Sequence, residues 1–348
     1  MKFKWLNQAM PSTFPPTPDN LSAILAANRW YSSVLLTQLG GRKTRLYTNN
    51  GENKFRTGRI AKWALSLLLF LAYTSPVQAQ KISSPRLQQN YTLQQVDREL
   101  AQANVVYLGE SHDSAADHKA ELEILQSLHQ RHPKMAIAME MFQRPYQGVL
   151  DRYLAGQLSE EELVAQSEYE QRWGFPWEYY APILRFAKAN QLPVLALNTP
   201  TEVTRKVALE GLESLTPAER RYIPPFSEIR TDNAEYRQLM LSAFKQHQAA
   251  GNGASAGFER FFLAQVLWDE TMAERIAQFL QANPEYQVVV LAGQGHIVYG
   301  YGIPSRVARR LNNKHLVQRS VLLNPSEDTQ FSTDKPIADF SWNTTPHD

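Results

Sequence analysis

Four short apolar runs, each closed by polar or turn-forming residues and followed by a helical pattern, constrain this chain more than any other feature. Residues 104–108 (NVVYL), 193–197 (PVLAL) and 287–291 (QVVVL) are rich in β-branched residues and read as buried strands. Residues 135–139 (MAIAM) form a fourth run with weaker β propensity, and a last strand is expected at 316–323. Strands alternating with helices predict an α/β fold, a mostly parallel sheet flanked by helices. Residues 144–190 and 203–257 are helical in pattern and poor in strands, so a helical cap insertion over the sheet is expected there. A long helix is expected at 258–281, with Phe262, Val266, Ala273, Ile276 and Leu280 on one buried stripe and Asp269 on the same line.

Charge divides the chain in two. Residues 1–79 hold ten Lys/Arg against two Asp/Glu, whereas the remainder holds 26 against 32. The body therefore lacks the basic footprint of a nucleic-acid binder. Arg56, Arg59 and Lys62 precede the eleven-residue apolar run 63–73 (WALSLLLFLAY), which is followed by Val77-Gln78-Ala79. This is the pattern of a cleaved secretory signal, too short to span a bilayer comfortably. About 55 residues precede that signal, and the expectation is that the true start lies further downstream. The expected organisation is an extension with signal peptide over 1–79, a short linker over 80–95, and a single domain over 96–345. The chain has no cysteine, which excludes disulfides, thiolate catalysis, zinc–cysteine sites and a cysteine lipid anchor.

Chemistry is expected at the carboxyl ends of the strands, where loops converge beside helix N-termini. Glu110 and His112 follow the first strand, Glu140 the second, Asn198 the third and His296 the late one. A carboxylate or imidazole ending an apolar strand is partly desolvated and needs a partner, which convergence supplies. Ser111 and Asp113 read as N-cap residues of the next helix, and His118 on that helix reads as exposed. Three chemistries fit the set. His112, His296 and Glu140 could hold a divalent metal that activates water. A Glu–His pair among Glu110, His112, Glu140 and His296 could act as general base while the second imidazole stabilises charge. The aromatics Trp173, Phe175, Trp177, Tyr179 and Tyr180 could instead cover a flat apolar ligand such as haem, with a Tyr or His on the iron.

Several motifs in a fixed order carry a resemblance. They are LGESHD at 108–113, AMEMF at 138–142, LDRYLAG at 150–156, and Trp173, Trp177, Tyr180 and Pro182 leading into Phe186-Ala187. Asn198-Thr199-Pro200, AQVLWDETMA at 264–273 and LAGQGHIVYGYGIPSR at 291–306 complete them. From about Tyr107 to Arg310 the chain resembles the ChaN-like haem-binding uptake family, in a superfamily shared with erythromycin esterases and Tiki proteases. The resemblance implies an α/β core with a helical insertion. It also implies an exported protein, periplasmic or associated with the outer membrane, linked to iron and haem acquisition. Haem is expected between two subunits of a homodimer, with Tyr179, Tyr180, Tyr299 and Tyr301 as candidate iron ligands and Trp173, Trp177 and Asn198 lining the ligand. In the esterase and protease relatives the Gly-x-x-His motif is catalytic, and its counterpart is His112, so a hydrolase is the alternative function. Two departures stand out: no cysteine is available to lipidate, and Thr201 follows Asn198-Thr199-Pro200 where Arg is common, with Arg205 one turn on.

Overall fold

The computed structural model describes residues 80–248, 255–325 and 335–344; the expected signal peptide lies outside them. Eight strands form one sheet: β1 (Gln80–Ser84), β2 (Gln89–Tyr91), β3 (Val105–Glu110), β4 (Met135–Gln143), β5 (Val194–Asn198), β6 (Gln287–Gly293), β7 (Gln318–Leu323) and β8 (Phe340–Thr344). Their order across the sheet is β2-β1-β8-β7-β3-β6-β4-β5. From β8 to β5 every neighbouring pair is parallel, and β1 and β2 add an antiparallel edge. Every residue of β3, β4, β5 and β6 is buried, as apolar runs without polar alternation require when helices cover both faces.

Alternation along the strands sends side chains into two cores. Val106, Leu108, Met139 and Leu291 face one, with the helices Leu93–Ala101, Ala115–Arg131 and Trp177–Ala189. Tyr107, Ala138 and Val290 face the other, with the helices Thr201–Glu210, Ser255–Ala282 and Ile303–Leu311. The two segments expected to form one cap are thereby corrected. Residues 144–190 pack on the first face and the helices after residue 200 pack on the second. The expected stripe of the long helix is buried in the second core, Asp269 included.

The expected linker over 80–95 is also corrected, because these residues supply β1, β2 and the start of a helix capped by Thr92. Polar residues dominate 80–95, which hid two strands, β2 at the sheet edge and β1 between it and the distant β8. Ile82 of β1 pairs with Trp342 of β8, and both are buried in the first core. Ile82→Ala is therefore expected to cost about 2–5 kcal/mol in urea unfolding. A linker residue would change stability by less than about 0.5 kcal/mol.

Candidate functional site

The parallel register delivers the site. Glu110 ends β3 and pairs with Gly293, the last residue of β6. The neighbouring strand β4 carries an irregularity at the same level: Met139 pairs with Ala196 and Gln143 with Asn198, so β4 holds two extra residues there. Such a bulge re-aims side chains at a sheet end, and Glu140 lies within it. The Asn198 amide donates to the Glu140 carbonyl at 3.0 Å and accepts from the Thr199 N–H at 2.8 Å. Asn198 thus holds the bulge, with both its amide and its carbonyl engaged within the chain.

His112 sits on the turn after β3. Asp117 holds that turn by accepting from the Ser111 N–H at 2.8 Å, the Ser114 hydroxyl at 2.7 Å and the Asn324 amide at 2.7 Å. The N-cap of the following helix is Ser114, not Ser111 or Asp113. His112 Nδ1 bonds Glu110 Oε1, which also accepts from the Tyr180 hydroxyl at 2.8 Å. With Nδ1 so engaged, His112 Nε2 turns toward Gly293. A Cβ built on Gly293 would lie 2.9 Å from that nitrogen, so only glycine leaves room for the ring. Trp173 meets the His112 ring edge-on at 4.8 Å and Phe175 lies at 5.2 Å.

On the other side of Gly293, Glu140 Oε2 accepts the Gly293 N–H at 2.8 Å. Its Oε1 lies 3.3 Å from His296 Nε2, and His296 Nδ1 lies 2.7 Å from Asp269 Oδ1. Asp269 also accepts from the Tyr236 hydroxyl at 2.6 Å and faces Arg306 at 3.7 Å. Burial alone would raise the Glu140 carboxyl, yet His296, His112 and the Gly293 N–H hold it down at about 2. Burial alone would lower His296, yet Glu140 and Asp269 hold it up at about 10, so this imidazole is charged at neutral pH. Burial also opposes ionisation of Glu110, but His112 and His118 keep it well below the usual carboxylate range.

The four residues expected to be catalytic therefore gather in two linked groups, Glu110–His112 and Asp269–His296–Glu140. The expected metal trio of His112, His296 and Glu140 is not the set whose donor atoms converge. Among the described residues that set is Glu110, His118 and Glu121, whose ligand atoms all lie within 4.8 Å of one another. His118 is buried, correcting its expected exposure, because Tyr179 stacks over it at 4.9 Å and Glu110 faces it at 2.9 Å. The aromatics divide likewise. Trp173 covers His112, whereas the Trp177 indole donates to Glu160 at 2.8 Å on an outer helix. The Tyr180 ring is fully buried and its hydroxyl is held by Glu110. Tyr299 is buried, and its ring stacks at 5.5 Å on the half-buried Tyr301.

These features define an α/β protein with a paired carboxylate–imidazole site at the ends of its parallel strands. The chain belongs to the ChaN family of the Tiki superfamily, described as haem-binding uptake proteins, whose model matches residues 96–307. The solved structure of ChaN of Campylobacter jejuni, reported for cofacial heme binding, superposes with a TM-score of 0.60 at 18% identity. That match covers 76% of this chain and 96% of the Campylobacter protein, and it supports the fold. The chloroplastic protein RETICULATA-RELATED 5 of Arabidopsis thaliana is 30% identical over 262 residues, 70% of this chain and 34% of the relative. The match thus spans about a third of that relative's length. An erythromycin esterase is a more distant structural neighbour, 16% identical over 77% of this chain and 83% of its own, with a TM-score of 0.41.

Gly293→Ala tests the centre of the site. The new methyl is expected to push the His112 ring off Gly293, changing Trp173 fluorescence and lowering stability by about 1–3 kcal/mol. Unchanged fluorescence together with unchanged stability would show that the ring does not rest against this glycine.

Proposed function

We propose that this protein is an exported haem-binding member of its family, acting in iron and haem acquisition outside the cytoplasm. The observation that carries the reading is the surface at Tyr301. Its half-buried ring stacks on Tyr299, and the Lys335 ammonium lies 4.2 Å from the ring centroid. A phenol suits ferric iron, an aromatic face suits the macrocycle and a lysine suits a propionate. Tyr301 and Lys335 would hold the haem, which supplies iron chemistry when bound. His112 and His296 are poor iron ligands where they stand, because His112 Nε2 rests against Gly293 and His296 Nε2 already faces Glu140 at 3.3 Å.

Export is supported by the signal-like run before Val77-Gln78-Ala79, since cleavage after Ala79 would leave β1 whole. A homodimer around haem follows the resemblance and a closed two-fold pair is the default for an oligomer. Peripheral attachment to a membrane would need a route other than lipidated cysteine. No helix among the described residues is long and apolar enough to cross a membrane.

A second reading rests on the charged His296. An imidazolium fixed between Glu140 and Asp269 is suited to stabilise developing negative charge, while His112, oriented by Glu110, is suited to take a proton from water. That arrangement fits a hydrolase working without a metal.

Hemin titration of the purified protein separates the two. A saturable Soret band at defined stoichiometry is expected, displaced in Tyr301→Phe and retained in Tyr179→Phe. N-terminal sequencing of the exported material is expected to begin at Gln80. Absence of any specific band would remove the haem reading; loss of ester or peptide turnover in a folded His112→Ala variant would then support the hydrolase.

A further inference from the structure

His118 and Glu121, clustered with Glu110, are buried groups that the haem and hydrolase readings leave unexplained. His118 and Glu121 lie three residues apart on the helix Ala115–Arg131, so they share the face turned to the end of β3. His118 Nδ1 stands 2.9 Å from Glu110 Oε2 and 3.0 Å from Glu121 Oε2. Both carboxylates are fully buried and the imidazole is 4% exposed.

The hydrogen bonding is incomplete. His118 Nε2 lies 3.2 Å from the His112 carbonyl, which can only accept, so Nε2 carries a proton. In a neutral ring Nδ1 then presents a lone pair to two carboxylate oxygens. In a charged ring its single N–H can point well at only one of them. Glu121 Oε1 is buried and has no hydrogen-bond partner. A buried carboxylate with an unmatched oxygen is costly, and a second one beside it makes the cost larger.

We propose that these three residues are a binding site for a divalent transition-metal ion of the manganese, iron or zinc class. One imidazole nitrogen with carboxylate oxygens is the donor set such ions take. Metal–ligand bonds of about 2.1 Å place adjacent octahedral ligands about 3.0 Å apart, close to the observed donor spacings. The ion takes the place of the proton on His118 Nδ1, and that proton leaves to solvent. Glu121 gains a partner for its second oxygen. The half-buried Tyr179 ring covers the site and marks the way in. Glu110 Oε1 bonds His112, so the ion draws charge from Glu110 and weakens its hold on that imidazole. His118 and Glu121 are thus positioning residues for His112, whichever ligand the neighbouring site takes.

The test is a Co2+ titration of the purified protein, followed by visible absorption and by proton NMR, with Mn2+ as competitor. One equivalent is expected to bind, with ligand-field bands, release of protons and a single hyperfine-shifted imidazole. Glu121→Gln, close to isosteric, is expected to weaken binding at least about tenfold, whereas His315→Gln, on the exposed surface, leaves it unchanged. Absence of stoichiometric binding, or binding that survives Glu121→Gln, overturns the proposal. If Glu121→Gln does not fold, the wild-type NMR decides: paramagnetic broadening must include Tyr179, and its absence is equally fatal.

Discussion

The site depends on the missing side chain at Gly293. Parallel pairing of β3 with β6 sets Glu110 beside this residue, and the His112 ring lies against its α-carbon. Its N–H is meanwhile given to Glu140 from the bulge in β4. Glu110 belongs to one face of the sheet, while His296, the imidazole partner of Glu140, is held by Asp269 from a helix on the other. Only a residue without a Cβ lets groups from both faces meet at the end of the sheet, because a methyl would occupy the volume of the imidazole. A second close approach repeats the device: Gly302 packs so tightly on the His296 carbonyl that a side chain there has no room.

Burying this much charge is tolerable because each carboxylate meets an imidazole and each imidazole is held at a fixed orientation. Asp269 has His296, Tyr236 and Arg306; Glu140 has His296 and the Gly293 N–H; Glu110 has His112, His118 and Tyr180. Removing one member leaves a buried charge unmatched, so the network behaves as a unit. The charged His296 is one product of this arrangement. Between two carboxylates in a region of low dielectric its proton is held through neutral pH.

Much of this was legible in the sequence where the signal was local. Uninterrupted apolar runs gave the central strands to within a few residues, and the polar residues closing them gave Glu110, His112, Glu140 and His296. What stayed hidden was non-local. β1 and β8 are edge-side strands whose apolar residues, Ile82 and Trp342, find each other across most of the chain. The division of helices between two faces depends on crossovers, which hydrophobic period does not report. His118 was readable in principle: His118, Glu121, Leu125 and Leu128 follow a 3–4–3 spacing that continues a buried helix face. Two polar residues on such a stripe signal a paired interior site, yet residue type alone favoured the surface.

The same network separates the two activities considered for this fold. Iron ligation would use Nε2 of either imidazole, the nitrogen left when a carboxylate holds Nδ1. At His112 that nitrogen rests against Gly293, and at His296 it faces Glu140, whose buried carboxylate would lose its imidazole partner. A tyrosine outside the network carries no such penalty. Tyr180 is inside it, since its hydroxyl completes Glu110, whereas Tyr301 is outside it and half-buried. A macrocycle at Tyr301 and proton chemistry at His112 therefore use different side chains, and neither needs the other to be dismantled. The end of one sheet thus presents two separate sets of side chains, and the site rather than the sheet decides between the readings.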